Sequence, residues 1–351
     1  MKTLNELLRI TLDRKASDLH ITVGVPPVIR VNGHLTQIEE TILTPEDTQK
    51  YSMEILESNY DTYCQRGEID ISYAVPGIGR FRVNIYKQRG SDAVAIRTVG
   101  LKVPQLKDLN FPNVIQDLIS KQRGLILVTG PTGSGKSTSL AAMINEINST
   151  RAEHVITLED PIEYMHKHGK SIINQREIGN DSGSYASALK AILREDPDVI
   201  LIGEMRDLET ISIAITAAET GHLVFSTLHT IGAAKTIDRI IDVFPPFQQQ
   251  QIKIQLAAVM QGIISQQLLP KEDGSGRVAA LEIMVATPAI QNLIREGKTH
   301  QLQSLIQTGN KYGMKTMDMS LAELYKKGDI SYETALSYCV DRELLSKMLS
   351  L

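Results

Sequence analysis

The chain of 351 residues lacks features by which several classes of protein are recognised. It has no tryptophan, and aromatic residues make up only 5% of it. Proteins that bind single-stranded nucleic acid stack its bases on aromatic side chains, so this composition gives little support to a DNA translocase or helicase. The 37 basic and 41 acidic side chains give a net charge of −4. That balance disfavours a nucleic-acid coat protein or a polybasic membrane binder, although it leaves room for a local basic patch.

Cysteines and long apolar runs are also scarce. Cys64 and Cys339 are the only two cysteines and form no CxxC pattern, which excludes a disulfide framework and a four-thiolate zinc site. We expect both to be buried structural thiols in a reducing compartment. Apolar runs such as 125–128 and 199–202 have four residues, too few to span a bilayer. Because no signal-peptide pattern opens the chain, we expect a cytosolic protein, or one peripheral to a cytosolic membrane face.

The length of 351 residues exceeds the size at which one hydrophobic core usually stops growing, so we expect two packed units. The first, over residues 1–98, has a mixed pattern, with Asn32-Gly33 as the turn of a hairpin. Its predicted elements are helices over 4–12 and from Pro45, and strands in DLHITV, PPVIRVNGHL, IDISYAV, GRFRVNIYK and DAVAIRTV. Segment 99–113 contains two prolines and no clean period, which predicts a domain linker.

Beyond the linker, over residues 114–351, apolar strands alternate with amphipathic helices. The predicted strands are LILVTG, HVITLE, DVILIG and HLVFSTL, and the helices between them begin at Lys136, near Ser184 and at Asp207. This alternation indicates an α/β fold whose parallel sheet is covered by helices on both faces. The four glutamines at 248–251 begin a further amphipathic helix, and the tail over 287–351 is predicted to be mostly helical.

Between the first of these strands and its helix lies the pattern G-x-x-x-x-G-K-[ST], from Gly130 to Ser137. Its glycines let the backbone aim several N–H groups at phosphate oxygens beside a helix N-terminus. Lys136 would reach the β- and γ-phosphates, the Ser137 hydroxyl would ligate Mg²⁺, and Thr138 would lie beside the α-phosphate. We therefore predict that ATP binds at Thr132, Gly133, Ser134, Gly135, Lys136, Ser137 and Thr138.

Hydrolysis also needs acids, and two segments offer them at strand ends, where ligands of open α/β sheets bind. In DPDVILIGEMRD a buried strand ends in Gly203-Glu204, which resembles a Walker B segment that places Glu204 near Mg²⁺. In HVITLEDPIEYMH a turn at Pro161 displays Glu159, Asp160 and Glu163. From the residues alone, this second group can equally be a charged loop.

Histidines and arginines complete the candidates. His222 and His229 flank the strand of TGHLVFSTLHT, so both can reach one site only if His229 lies beyond the strand end. Either can instead be a hydrogen-bonded structural histidine. In the first domain, Arg80 and Arg82 lie on one strand face and Arg97 on a neighbouring strand. These three are candidate arginine fingers or phosphate sensors, or a solvated face paired with carboxylates.

In this order the segments resemble those of the secretion-type ATPases, and specifically the branch that retracts type IV pili in twitching motility. ASDLHI and PPVIRVNG resemble the start of the family's PAS-like N-terminal domain. GPTGSGKST resembles its Walker A loop, ITLEDPIEY its aspartate box, DPDVILIGEMRD its Walker B segment and TGHLVFSTLHT its histidine box. The resemblance covers essentially the whole chain and implies a PAS-like α+β domain followed by a RecA-like P-loop ATPase domain with a helical C-terminal tail.

The resemblance also implies roles for single residues. It makes Glu163 the general base and Glu204 the Walker B acid, with His222 and His229 as histidines close to the nucleotide or the metal. The family's usual AIRNLIREGK segment reads AIQNLIREGK here, with Gln291 in place of the arginine. That exchange leaves hydrolysis untouched and bears on coupling at this helix.

At the level of the whole machine, the resemblance implies a Mg²⁺-dependent ATPase that assembles as a homo-hexamer on the cytoplasmic face of the inner membrane. Its partner would be a pilus platform protein in that membrane, and it would use no nucleic acid. Direction of filament movement follows from the resemblance alone. A related ATPase of secretion or pilus assembly, or a DNA translocase, are the alternatives.

Overall fold

The computed structural model describes residues 2–31, 33–99 and 103–350. The chain forms two units: residues up to 102 together with Glu163–Met165, and residues 103–162 together with 166–351. Within the described residues, no helix combines the length and the apolar content that crossing a bilayer requires.

The first unit is an antiparallel sheet with helices. Its strands are β1 (Asp18–Ile21), β2 (Val28–Val31), β3 (His34–Gln37), β4 (Glu68–Val75), β5 (Gly79–Gln88) and β6 (Ser91–Thr98), and they lie in the order β3-β2-β1-β6-β5-β4. Its helices are α1 (Leu4–Asp13), α2 (Pro45–Leu56) and α3 (Tyr60–Arg66). Gly33, with φ of +86°, stands between β2 and β3 as the hairpin prediction requires, while its partner Asn32 lies outside the described residues.

Local sequence explains these elements. Thr44 caps α2 by accepting a hydrogen bond from the N–H of Asp47, whose side chain accepts one from Thr44 in return, and Pro45 fits the first helical position. Along β5, Phe81 and Val83 are buried while Arg82 between them is exposed. The period of two therefore turns the apolar face of the sheet into the core and leaves the arginine face outside.

The second unit contains a largely parallel sheet. Its strands are β7 (Gly124–Thr129), β8 (His154–Glu159), β9 (Ile172–Glu177), β10 (Val199–Ile202), β11 (Leu223–Leu228), β12 (Met260–Pro270) and β13 (Arg277–Val285), in the order β13-β12-β7-β11-β10-β8-β9. Strand β13 lies at one edge and pairs antiparallel to β12. Its helices are α4 (Val114–Ile119), α5 (Lys136–Thr150), α6 (Tyr185–Ile192), α7 (Leu208–Glu219), α8 (Ala233–Asp242), α9 (Pro246–Val259), α10 (Pro288–Glu296), α11 (Leu302–Thr308), α12 (Met317–Lys326), α13 (Tyr332–Tyr338) and α14 (Arg342–Ser350).

Helices cover both faces of this sheet. Leu125 and Leu127 of β7 point into a cluster with residues of α6 to α9, whereas Ile126 and Val128 point into a second cluster with α4 and α5. Successive residues are thus buried on opposite faces, which is why the parallel strands read as continuous apolar runs. The predicted fold class is confirmed.

Three features differ from the sequence analysis or were not anticipated by it. Cys64 is exposed and Cys339 partly buried, so the expectation of two buried thiols was wrong. Strand β9 and the β12–β13 hairpin carry several polar side chains, which obscured their strand pattern. In the predicted linker 99–113, residues 100–102 lie outside the described residues, and Leu106 is buried in the core of the second unit. The role of this linker as a hinge stays a prediction.

Candidate functional site

The loop between β7 and α5 has the conformation that the motif predicts. Gly133 and Gly135 have φ of +79° and +88°, the left-handed region that side chains with a Cβ rarely adopt. Gly135 is the N-cap of α5 and contributes no side chain there. The bond from Ser139 N–H to the Gly135 carbonyl, at 3.0 Å, begins the helical ladder, so the amides of residues 136–138 precede that ladder. Glycine geometry and a helix N-terminus together form a cradle that suits a phosphate.

Lys136 is held across this loop by its own backbone. Its Nζ donates to the carbonyl oxygens of Gly130 at 2.8 Å and Pro131 at 3.0 Å, and the residue is 8% exposed. A buried ammonium needs hydrogen-bond acceptors. Phosphate oxygens are stronger acceptors than these carbonyls because they are charged, so the lysine is placed to exchange one set for the other.

Glu204 lies beyond the end of β10, which β11 separates from β7, and it is linked to the phosphate loop through His229. Arg206 Nε donates to Glu204 Oε1 at 2.6 Å, and His229 Nε2 lies 3.3 Å from the same oxygen. The other ring nitrogen of His229, Nδ1, lies 3.4 Å from Thr132 Oγ1. Burial alone would raise the pKa of Glu204, but Arg206 and His229 outweigh it and hold that pKa below its usual range. The carboxylate is therefore charged at neutral pH.

The turn at Pro161, in the aspartate-box segment, is stabilised by Glu177, a residue that the sequence analysis missed. Glu177, 2% exposed at the end of β9, accepts a hydrogen bond from the N–H of Ile162 at 2.9 Å and another from Asn180. Glu159 is also held in place, because its Oε1 accepts bonds from Thr157 at 2.7 Å and Gln175 at 3.2 Å. These contacts stabilise the chain just before Glu163.

Tyr185 is a further missed residue. Burial raises its pKa, and the nearby charges of Asp160, Glu204 and Glu159 raise it further. The hydroxyl therefore stays protonated among carboxylates, to which it can donate a hydrogen bond. The sequence around Tyr185, an aromatic residue at the start of an amphipathic helix, does not indicate this role, because the neighbouring carboxylates come from other segments of the chain.

The remaining predicted acid and arginines belong to the first unit. Glu163 is exposed there. Arg80 donates from Nε to Ser72 Oγ at 2.8 Å, and Arg97 from Nε to Asp18 Oδ1 at 3.0 Å. Arg82 is exposed and lies directly opposite Arg97 in the β5–β6 pair. Arg97 thus has the carboxylate partner that the sequence analysis left open as an alternative.

His222 is not brought to the same edge of the sheet as His229. It precedes β11, where its Nδ1 lies 2.9 Å from the Ala217 carbonyl and its own carbonyl accepts from Gly124 N–H at the start of β7. Strand β11 then rises ~3.3 Å per residue toward His229, so the two histidines are about 20 Å apart. Within this chain His222 therefore lies at the amino edge of the sheet, opposite to the Gly130–Lys136 loop.

The residues present include oxygen donors of the kind that bind a magnesium nucleotide. Among the described residues, no group of three or more His, Cys, Asp or Glu side chains could hold a metal ion. Mg²⁺ is commonly bound through one or two protein oxygens together with substrate phosphates. Ser137 on the first turn of α5 and Glu204 are oxygen donors of that kind, so the predicted Mg²⁺ pair fits the donor set.

Comparisons with known proteins identify the family of the chain and several of its relatives. Residues 1–335 match the family described as "Type II/IV secretion system protein". The chain is 48% identical to the type IV pilus retraction ATPase PilT of Pseudomonas aeruginosa, over 95% of this chain and 96% of that protein. It is 40% identical to the type IV pilus ATPase PilU of the same organism, over 99% of this chain and 91% of that protein. A crystal structure of the pilus retraction motor PilT with bound ADP is 49% identical, with a TM-score of 0.93, over 99% of this chain and all of that one.

Proposed function

The chain is a member of the type II/IV secretion system protein family, and on this premise we propose that it is a Mg²⁺-dependent ATPase whose work retracts type IV pili in twitching motility. The proposal is supported by 48% identity to a pilus retraction ATPase along 95% of the chain. It is supported further by the similarity, at a TM-score of 0.93, to a retraction motor that binds ADP.

The observation that carries the proposal is the contact network from the phosphate loop to the Walker B acid. His229 lies between Thr132 and Glu204, at 3.4 Å and 3.3 Å. The sheet thus presents a phosphate cradle, a charged carboxylate and an imidazole at the ends of neighbouring strands. Phosphoryl transfer depends on groups that position the phosphates and stabilise the charge that develops on them, and these groups are suited to that task.

In the proposed reaction, the amides of the loop and Lys136 hold the β- and γ-phosphates of ATP. Glu163 accepts a proton from the attacking water, whose oxygen bonds to the γ-phosphorus as the bond to ADP breaks. Mg²⁺, held by Ser137 and Glu204, would neutralise charge on the phosphates. Arg80, Arg82 and Arg97 supply positive charge from the first unit as candidate phosphate sensors, and His229 reports on the nucleotide to the Walker B acid.

The mechanical part of the proposal concerns assembly and location. A homo-hexamer on the cytoplasmic face of the inner membrane would convert nucleotide-driven motion at the 99–113 linker into force on a pilus platform protein. Filament retraction is the direction named for the relative that matches over 95% of the chain. A cell that lacks this chain should form filaments that cannot shorten; a cell that forms no filaments would instead indicate an assembly ATPase.

Phosphate release by the purified oligomer tests the chemistry. We expect Lys136→Ala to abolish nucleotide binding, and Glu163→Gln to bind ATP yet turn it over at least 100-fold more slowly, since general bases contribute about 10²–10⁴-fold. Glu343→Gln, an exposed change on α14, is the matched control and should keep the rate of the natural chain. Normal turnover in Glu163→Gln would contradict the assignment of the base, and stimulation by single-stranded DNA would favour a translocase.

A further inference from the structure

Strand β12 carries two consecutive glutamines in the core of the second unit. Gln266 is 3% exposed and Gln267 is 8% exposed. An amide buried in an apolar core is destabilising unless its donor and acceptor both find partners. The partners of these two side chains therefore indicate what each one does.

The Gln266 amide joins the phosphate loop to the helix that follows it. Its Nε2 donates to the Ser134 carbonyl at 2.6 Å, and its Oε1 accepts from the Ser139 hydroxyl at 2.7 Å. Both hydrogen bonds are buried. One planar group thus fixes the peptide just before Gly135 relative to the first turn of α5, where the phosphate-facing amides lie.

Glycines of the motif are packed against the same residue. A Cβ on Gly135 would lie 2.8 Å from Gln266 Nε2, and a Cβ on Gly130 would overlap the Gln266 carbonyl oxygen. By contrast, a Cβ on Gly133 would meet nothing within 4 Å. Two of the three loop glycines are therefore required by strand β12 as well as by the phosphate.

The preceding residue holds the second loop of the site. Ser265 Oγ accepts a hydrogen bond from the N–H of Gly232 at 2.9 Å, and Glu282, its cross-strand neighbour on β13, accepts one from Ala233 N–H at 2.8 Å. Both acceptors are buried. Gly232 and Ala233 begin α8 three and four residues after His229, so these bonds fix the segment that carries the histidine.

We infer that the β12–β13 hairpin positions the nucleotide site, with Gln266 setting the phosphate loop and Ser265 and Glu282 setting the segment after His229. These are positioning residues, because they act through backbone that touches the substrate. The inference rests on the proposed ATPase function. It assigns Gln266 to nucleotide binding, because the phosphate loop binds the nucleotide. It assigns Ser265 and Glu282 to turnover, because His229 contacts the Walker B acid.

The test compares Gln266→Leu and Ser265→Ala in the full chain, with Gln267→Leu as the matched control. Gln267 has the same side chain, is buried on the same strand and donates instead to the Tyr338 carbonyl at 3.3 Å. We expect Gln266→Leu to weaken binding of fluorescent ADP and to raise KM for ATP by about tenfold, which is ~1.4 kcal/mol, with kcat within about threefold. We expect Ser265→Ala to lower kcat about tenfold with ADP affinity unchanged.

Oligomeric state and circular dichroism establish that each variant is folded. If Gln266→Leu does not fold, Ser139→Ala removes only one hydroxyl and should weaken ADP binding about threefold. The inference is overturned if the Gln266 and Gln267 variants shift ADP affinity equally, or if Ser265→Ala changes KM and kcat together as general destabilisation would. A natural chain that neither binds ADP nor releases phosphate would refute the proposed function instead, which keeps the two failures apart.

Discussion

Replacing Glu204 by glutamine separates the chemistry of the site from its stability. The substitution keeps the shape of the side chain and removes one negative charge from between Arg206 and His229. The structure gives those two contacts as 2.6 Å and 3.3 Å. We expect the variant to fold and to bind nucleotide, and to lose most of its turnover.

The expected change in stability is small because the ion pair is open to solvent. The Arg206 side chain is 76% exposed and that of Glu204 is 19% exposed. Exposed ion pairs contribute about 0–1 kcal/mol to the free energy of unfolding. A change of 1 kcal/mol shifts the melting temperature of a chain of this size by less than about 4 °C.

The expected change in rate is much larger. The pKa of Glu204 lies below its usual range, so the natural enzyme carries this charge throughout the neutral pH range and its loss is not mimicked by a pH change there. Removing the carboxylate that we propose as a Mg²⁺ ligand at the phosphoryl-transfer centre should lower kcat at least about 100-fold, or ~2.7 kcal/mol.

Steady-state phosphate release and thermal melting of the same preparation measure both effects. Glu209→Gln on α7 is the control, since it also removes one carboxylate from an exposed ion pair, with Lys190, outside the strand-end site. The reasoning is refuted if Glu204→Gln retains turnover within about threefold of the natural chain, or if its loss of activity is matched by that of the control.

Three further predictions test individual features. Gly135→Ala should lower the melting temperature and abolish nucleotide binding, because the new Cβ clashes with a buried amide of β12 and the positive φ costs about 1–2 kcal/mol. Gly133→Ala should destabilise the fold only by the cost of the positive φ, because its Cβ meets no other atom within 4 Å. Asp207→Ala should cost about 1 kcal/mol at pH 7, since Asp207 caps α7. The backbone hydrogen bond at that cap lowers the pKa of Asp207. The stabilisation by the charged cap is therefore present above the unfolded pKa of about 3.9 and lost as pH falls through the folded pKa. In urea melts, the difference in free energy of unfolding between the natural chain and Asp207→Ala should become smaller below about pH 4. A thiol reagent at pH 8 should label exposed Cys64 before Cys339, whose pKa is raised by burial; mass spectrometry of the labelled peptides would contradict this if Cys339 reacted first.

The phosphate loop could be predicted from the sequence because its requirements are local. Positions 133 and 135 have a positive φ, which glycine adopts readily, and Lys136 follows in the first turn of the helix. The strand patterns around it depend on whether alternate or successive side chains are buried, which neighbouring residues alone reveal. Glu204 could be placed at the edge of the sheet for the same reason, because only Gly203 separates it from the apolar run that forms β10.

His222 and Glu163 show where such local reasoning stops. His229 does lie beyond the end of β11, but His222 precedes that strand, so the two histidines stand at opposite edges of the sheet and do not share one site within this chain. The turn at Pro161 displays Glu163, yet the unit with which that residue packs depends on contacts that no short segment contains.

The sequence by itself determined the phosphate-binding loop, the strand-helix alternation and the acids that follow the strands. Only the tertiary structure decided which distant groups hold that loop, since Ser139 and Gln266 are 127 positions apart and their hydrogen bond exists only because β12 pairs beside β7. The physical reason is that helix and strand patterns record contacts between residues a few positions apart. A buried amide or carboxylate instead takes its role from the strand that folding places next to it.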